Sequence, residues 1–352
     1  NGRESNTILA VSSNGEQIES KELLMTNTDY PWDLTCHVRD PKVWKEGGRY
    51  YMVQGARTKE DKGVVLVFSS EDKYHWNYIH RLESEEKFGF MWECPDLYEL
   101  DGQTILCISP QGVEQDGYWY ANKYQTVTSV IRGDFRTDGV PEGFRELDGG
   151  FDFYAPQTFL TEDGRRILIG WMGMADSTDE YTNRTVEDGW QHCLTVPREL
   201  KYKDGKILQY PVEEMNELRR DRTSLKDEKG VMELCMGTDE GFDLVLDEIE
   251  LKDGRFQVKL GGMMIFQYLE KTAQIEFHGA AGAGRTVRKA KTDSLKSLRI
   301  LADTSAVEIY LNDGETVFST RYYPDQEKIR LKISGGKFKG NIWNLNRMLF
   351  TK

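Results

Sequence analysis

The sequence of 352 residues predicts an all-β protein in which a β-propeller is followed by a C-terminal β-sandwich. The first half repeats one proline-containing strand segment three times, and self-similarity at a fixed period is typical of bladed architectures. The second half contains many alternating strands without that segment. Before residue 210 the sequence shows scarcely any of the 3.6-residue periodicity of a helix.

The repeated segment places a proline before a strand-like apolar pair, and a glycine follows seven or eight residues later. Pro41, Pro95 and Pro156 are 54 and 61 residues apart. In this register Asp40 and Glu93 are predicted to occupy equivalent positions on adjacent blades, facing one axis. The glycines open second β-rich runs at 50–54, 104–109 and 166–171.

The pattern divides the chain into a propeller over residues 1–210, a linker helix over 211–221 and a sandwich over 222–352. The helix is Glu-rich at its start and Arg-rich at its end, as the helix dipole prefers. A hairpin over 306–321 turns at Asn312-Asp313-Gly314, where Asp-Gly supplies positive φ angles. Further strands are predicted at 8–12, 64–69, 118–124, 167–173, 231–236, 242–246, 256–260, 263–268 and 274–277.

Composition limits the classes of partner. The net charge of −13 and the pI near 5.1 argue against nucleic acid, which requires a basic face. No apolar run approaches the roughly 20 residues of a membrane helix, so no membrane partner is expected. The cysteines are odd in number and lack the paired spacing of a zinc site, which predicts reduced thiols in a cytoplasmic protein and no metal. They are Cys36, Cys94, Cys107, Cys193 and Cys235.

Two other motifs carry little weight. Residues 279–286 nearly match a phosphate-binding loop, but the following residues have no amphipathic face with which to open a helix, so a flexible turn between sandwich strands is expected. Five histidines could seed a Ser/His/Asp site, yet no Gly-x-Ser-x-Gly pattern occurs. Of the five, only His37, two residues from Arg39, is expected near a pocket.

Asp40 and Glu93 are the candidate catalytic groups. An isolated acid is usually a solvated loop residue, but both acids fall within the proline repeat. Glu93 lies between Trp92 and Cys94, surroundings predicted to raise a carboxyl pKa and to favour a proton donor. Arg39 is expected to keep its neighbour Asp40 ionised and to hold hydroxyl groups.

Five motifs of the chain resemble the invertase-type fructosidases of glycoside hydrolase family 32. This family includes invertases, sucrose-6-phosphate hydrolases, levanases and inulinases. Residues 307–315 also resemble its C-terminal sandwich signature, so the resemblance covers essentially the whole chain. The motifs are Arg-Asp-Pro at 39–41, Trp-Glu-Cys-Pro-Asp-Leu at 92–97, Phe-Tyr-Ala-Pro-Gln-Thr at 153–158, Gly-Trp-Met-Gly at 170–173 and Leu-Thr-Val-Pro-Arg-Glu-Leu at 194–200.

The resemblance implies a five-bladed propeller, no cofactor and cleavage of β-fructofuranosyl bonds with retention. The substrate would be sucrose, sucrose 6-phosphate or a fructan. Glu93 would be the general acid/base and Asp40 the transition-state stabiliser. Arg39, Tyr154 and Trp171 would surround the fructosyl group, and Cys94 would tune Glu93. A phosphate could be met by Lys42, Lys45, Arg57 or Lys123.

The family's nucleophile belongs to an Asn-Asp-Pro-Asn-Gly motif that these 352 residues do not contain. Three proline repeats are also fewer than five blades require. We therefore expect a C-terminal portion, running from the end of blade two through blade five, that needs a missing N-terminal segment or an oligomer partner. The alternatives are a non-catalytic carbohydrate-binding relative and an inert fragment. If the chain is active alone, Asp96 and Asp152 are the substitute nucleophiles to test first.

Overall fold

The computed structural model describes residues 4–174, 181–227 and 230–348, and these are almost entirely strands and turns. The chain forms two compact units. Unit 1 comprises residues 1–114 and 123–146, and unit 2 comprises residues 115–122 and 147–352. This division into units does not test the propeller and sandwich boundaries inferred from the sequence, which stay a prediction.

Unit 1 contains three antiparallel sheets. The first pairs β1 (Thr7–Val11) with β2 (Ser20–Met25). The second has the order β3-β4-β5-β6, made of Leu34–Glu46, Arg49–Thr58, Gly63–Ser70 and Asn77–Leu82. The third has the order β10-β9-β8-β7, where β7 to β10 are Met91–Leu100, Gln103–Gln111, Val127–Arg132 and Val140–Glu146. Four-stranded antiparallel sheets in chain order are typical of propeller blades.

Unit 2 begins with a sheet of the order β11-β12-β14-β15, with β13 paired to β12. Two six-stranded sheets follow, of order β16-β27-β18-β23-β24-β25 and β17-β26-β19-β20-β21-β22. Apolar side chains of both six-stranded sheets form one buried cluster, as in a sandwich. The strands β11 to β27 are Tyr154–Leu160, Arg166–Met172, Cys193–Leu194, Arg198–Lys203, Lys206–Pro211, Arg219–Asp227, Val231–Gly237, Phe242–Leu251, Arg255–Leu260, Met264–Leu269, Thr272–Phe277, Val287–Lys291, Leu298–Ala302, Ala306–Leu311, Thr316–Arg321, Lys328–Ser334 and Gly336–Leu345.

The structure differs from the predicted elements at two places. The predicted strand at 118–124 is wrong: Gly117 and Tyr120 both have positive φ, and the segment makes only isolated bridges. The predicted helix is shorter, a 3-10 helix at Glu213–Leu218. Arg219 already pairs with Leu345 in β16, so the helix ends before its predicted basic end. Among the described residues, no helix is long and apolar enough to cross a membrane.

Each proline repeat forms the same β-bulge. The pairing of β3 with β4 skips two residues after Arg39, that of β7 with β8 skips two after Glu93, and that of β11 with β12 skips two after Tyr154. The residue just before each proline has a positive φ, an uncommon conformation for residues other than glycine. The φ values are 62° at Asp40, 48° at Cys94 and 47° at Ala155.

The bulges correct the register inferred from the sequence. Asp40 is equivalent to Cys94 rather than to Glu93, and Glu93 is equivalent to Arg39. The two carboxylates therefore come from neighbouring positions of the repeat. Since a bulge redirects the side chains around it, the acids need not occupy the same register position to approach each other.

A fully buried arginine joins the first sheet of unit 2 to the sandwich. The guanidinium of Arg198 on β14 donates to Glu308 at 2.5 Å and to Asp148 at 3.0 Å. It also donates to Ser319 Oγ at 2.5 Å and to Gln209 Oε1 at 2.8 Å. Burial raises the pKa of the Asp148 carboxyl, which Arg198 opposes. Two motifs that carried the family resemblance, at 194–200 and 307–315, thus meet in one polar network.

Replacing Arg198 with Met is expected to destabilise unit 2 by about 3–5 kcal/mol, because two buried carboxylates lose their cation. Urea unfolding followed by circular dichroism measures the change. Lys201→Met on the same strand is the matched control, since Lys201 is 67% exposed and its pair with Glu199 is worth less than about 1 kcal/mol. Equal effects of the two substitutions would contradict a central role for Arg198.

Candidate active site

The candidate site of unit 1 lies where the bulges of β3 and β7 bring charged side chains together. Arg39 donates to Glu93 Oε1 from Nε at 3.1 Å and from Nη2 at 2.6 Å. Gln111, the last residue of β8, donates from Nε2 to Glu93 Oε2 at 2.7 Å. His37 Nδ1 lies 3.1 Å from Arg39 Nη1. Both oxygens of the Glu93 carboxyl are therefore held by named donors.

Asp40 is tied to the second bulge through the backbone. The Cys94 N–H donates to Asp40 Oδ2 at 2.9 Å, and the Cys94 thiol lies 3.7 Å from the same oxygen. Arg39 Nε is 3.9 Å from Asp40 Oδ2, so the guanidinium donates its hydrogen bonds to Glu93 and makes a longer ion pair with Asp40. The carboxylates are partly open to solvent, at 32% for Asp40 and 16% for Glu93.

Burial and the nearby Asp40 and Glu93 raise the pKa of the Cys94 thiol to about 12, so Cys94 is neutral at physiological pH. A neutral thiol adds no third negative charge beside the two acids. That Cys94 tunes Glu93 stays a prediction.

Two glycines, Gly55 on β4 and Gly63 on β5, allow β7 to approach these strands closely. A Cβ at Gly55 would lie 1.9 Å from the Trp92 carbonyl oxygen, and a Cβ at Gly63 would lie 2.3 Å from the indole ring. The indole is fully buried and donates to Phe88 O at 2.7 Å. Glu93 thus follows a rigidly packed residue, which fixes the origin of its side chain.

Tyr154 and Trp171, predicted to bind substrate, lie together in unit 2. They are paired across β11 and β12, with ring centroids 6.3 Å apart. The His192 ring also contacts Trp171. The two ring centroids are 4.7 Å apart, and the ring planes are nearly perpendicular. Burial and the cations Arg321 and Arg285 lower the pKa of His192, which favours the neutral imidazole. The role of Tyr154 and Trp171 as substrate-binding residues stays a prediction.

The candidate substitute nucleophiles are both held by cations. Asp152 is buried and accepts two hydrogen bonds of 2.6 Å from Arg285. Asp96 is 1% exposed and lies 3.4 Å from Lys42 Nζ. Arg285 belongs to the loop that resembles a phosphate-binding motif, and a strand rather than a helix follows it at Val287–Lys291. The Arg285 guanidinium therefore forms an internal ion pair with Asp152. This ion pair anchors the turn expected between the sandwich strands.

Each of the four cations considered as ligands of a substrate phosphate contacts another side chain. Lys42 lies against Asp96, and Arg57 donates to Asp61 at 2.6 Å while stacking on Phe90. Lys45 and Lys123 lie over tyrosine rings, at 5.2 and 5.5 Å from the centroids. In residues 4–174, 181–227 and 230–348, no cluster of three or more His, Cys, Asp or Glu is arranged to hold a metal ion.

Sequence reasoning found His37, Arg39, Asp40, Glu93 and Cys94 but missed Gln111. A glutamine gives no composition signal of its own. The available signal was positional: Gln111 follows Ser109-Pro110 at the end of the strand that pairs with the Glu93 segment.

Comparisons with known proteins identify the same family at both ends of the chain. Residues 1–211 match the model of the glycosyl hydrolases family 32 N-terminal domain. Residues 266–346 match the glycosyl hydrolases family 32 C terminal model.

The chain is 36% identical to a sucrose-6-phosphate hydrolase of Bacillus subtilis, over 97% of this chain and 73% of the relative. It is also 36% identical to a sucrose-6-phosphate hydrolase of Salmonella typhimurium, over 84% of this chain and 62% of the relative. Among solved structures, a Bombyx mori GH32 beta-fructofuranosidase superposes with a TM-score of 0.78 at 30% identity, covering 93% of this chain and 70% of that one. A mutant of that protein has been solved with sucrose.

Alkylation of Cys94 by iodoacetamide at pH 8 is expected to be at least about 10²-fold slower than that of the exposed Cys235, because only the thiolate reacts. Peptide mass spectrometry measures both sites in one sample. Asp40→Asn should accelerate Cys94 alkylation, since it removes a negative charge that raises the thiol pKa, whereas the exposed Glu16→Gln should not. Rapid alkylation of Cys94 in the unaltered chain would refute the neutral-thiol description.

Proposed function

The chain belongs to glycoside hydrolase family 32, and we propose that its Asp40–Glu93 cluster serves the hydrolysis of a β-fructofuranosyl bond with retention of configuration. Family membership confirms the predicted all-β fold class, β-propeller with β-sandwich, and the predicted class of glycosidase. Sucrose 6-phosphate and sucrose are the proposed substrates, because relatives are named for the first and a neighbouring structure holds the second. A fructan stays an alternative.

The observation that carries the proposal is the assembly of two carboxyl groups and one guanidinium at two neighbouring bulges. Glu93 is proposed as the proton donor to the leaving aldose and then as the base for water. Asp40 is proposed to hold fructosyl hydroxyls as the ring flattens toward an oxocarbenium ion. Arg39 contacts Glu93 and lies within 3.9 Å of Asp40, so it can orient both. A retaining enzyme also requires a nucleophile about 5–5.5 Å from the acid.

A second candidate function is carbohydrate binding without hydrolysis. The pairing of Asp96 with Lys42 and of Asp152 with Arg285 favours it, because each of the two substitute nucleophiles is engaged by a cation. It differs from the leading proposal in one measurable respect, since binding of fructose would then occur without turnover in any natural form of the protein. A cytoplasmic location stays a prediction.

Residues 1–352 on their own are expected to hydrolyse neither sucrose nor sucrose 6-phosphate above background. Glu93 can protonate a leaving group, but the motif's nucleophile is absent from the printed sequence, and both substitute aspartates are paired with buried or partly buried cations. Release of reducing sugar by the purified chain measures this. Activity that Glu93→Gln abolishes would identify a nucleophile within these residues, and Asp96→Asn and Asp152→Asn would then locate it.

In a form of the protein that hydrolyses sucrose, Glu93→Gln is expected to lower kcat by about 10²-fold or more, the scale of lost general acid catalysis. A fructoside whose leaving group needs no proton should be affected much less. Steady-state kinetics on the two substrates give the comparison, with Glu99→Gln on the same strand as the control. An equal loss on both substrates would remove Glu93 from proton transfer.

A further inference from the structure

We propose that Gln111 is a positioning residue for Glu93, which holds the second carboxyl oxygen and favours the charged form of the acid between proton transfers. The proposal assigns a role to the amide at the end of β8. Its catalytic meaning rests on the proposed function, whereas its effect on the carboxyl does not.

The strand pairing explains why a glutamine is needed here. Glu93 pairs with Ser109, and Gln111 pairs with Met91, so the two side chains are diagonal neighbours across β7 and β8. Such diagonal positions are about 7–8 Å apart at the backbone, within reach only of long side chains. Gln111 spans this gap and donates to Glu93 Oε2 at 2.7 Å, whereas asparagine would be one methylene too short.

The backbone of Gln111 is fixed by contacts that leave little room for movement. Its carbonyl accepts the Phe90 N–H at 2.8 Å. Gly89 and Gly112 have positive φ, and a Cβ at either would collide with Gln111 O or the Phe90 ring, at 2.5 and 2.3 Å. The two glycines therefore allow close backbone packing around the end of β8. This packing fixes the position of the Gln111 backbone, from which its side-chain amide reaches Glu93.

The two oxygens of the Glu93 carboxyl receive hydrogen bonds from different residues. Arg39 donates two hydrogen bonds to Oε1 and can never accept one. Gln111 donates to Oε2, and a hydrogen bond donated to a carboxylate oxygen favours the charged form of the acid. Among the contacts described, the charged and titratable groups around Glu93 are Arg39, which donates to it, His37, which contacts Arg39, and Cys94 with its partner Asp40. Since Gln111 is uncharged, its substitution changes the hydrogen bond without changing the net charge.

Carbodiimide labelling of the full 352-residue chain tests the proposal without requiring activity. Carbodiimide activates protonated carboxyl groups, and peptide mass spectrometry gives the labelling rate of Glu93 near neutral pH relative to its rate in acid, a ratio that cancels differences in access. Gln111→Met should raise this ratio about tenfold, because a hydrogen bond to a charged group is worth about 1.5 kcal/mol. Gln111→Asn, a milder change, should raise it in the same direction.

Gln103→Met is the matched control, because Gln103 lies on the same strand and its amide donates only to a backbone carbonyl at 3.1 Å among the contacts described. The control should leave the ratio unchanged. An unchanged ratio in both Gln111 variants, with circular dichroism like that of the unaltered chain, overturns the proposal. A missing sucrose hydrolysis would count against the proposed function alone, since the labelling ratio does not depend on turnover.

Discussion

The structure depends on a residue other than glycine adopting a left-handed conformation immediately before a proline. This conformation places Asp40 and Cys94 inside bulges, where two residues of the strand face one residue of its partner, so the strand register shifts by one residue there. Positive φ at a non-glycine residue costs on the order of 1 kcal/mol or more. At Cys94 the local hydrogen bond from its N–H to Asp40 offsets part of that cost. The strain and the candidate chemistry therefore occupy the same few residues.

The same bulge explains which parts of the site could be predicted. Proline and glycine spacing identified three strand pairs, and the hairpin at 306–321 was predicted with its correct strand limits. The register was predicted one residue out, because aligning carboxylates with one another ignored the proline as the fixed point. Aligning the prolines places Asp40 with Cys94. Local spacing thus located the strands, but side-chain direction depended on the bulge at each proline, whose positive φ the spacing did not indicate.

Long-range ion pairs were beyond sequence reasoning for a different reason. Arg198 meets Glu308, and Arg285 meets Asp152, across separations of 110 and 133 residues. The sequence around Arg285 resembled a ligand loop because glycine-rich turns and phosphate loops share composition. Burial decides between them: a guanidinium that is 1% exposed and fully paired has no donor directed at solvent. By contrast, the Arg39 side chain is 31% exposed, so part of its guanidinium surface is open to solvent.

The network around Arg198 has a consequence for biosynthesis. β14 leaves the ribosome long before Glu308 and Ser319 on β24 and β25 are made, while Asp148 is already present. During that interval the guanidinium must stay hydrated, since an arginine buried with incomplete pairing is strongly unfavourable. The first sheet of unit 2 therefore cannot close as a dry layer until the sandwich strands emerge. Burial of Arg198 therefore waits for synthesis of the hairpin at 306–321. In a nascent chain truncated before residue 308, this part of the first sheet stays hydrated and accessible to chaperones and proteases.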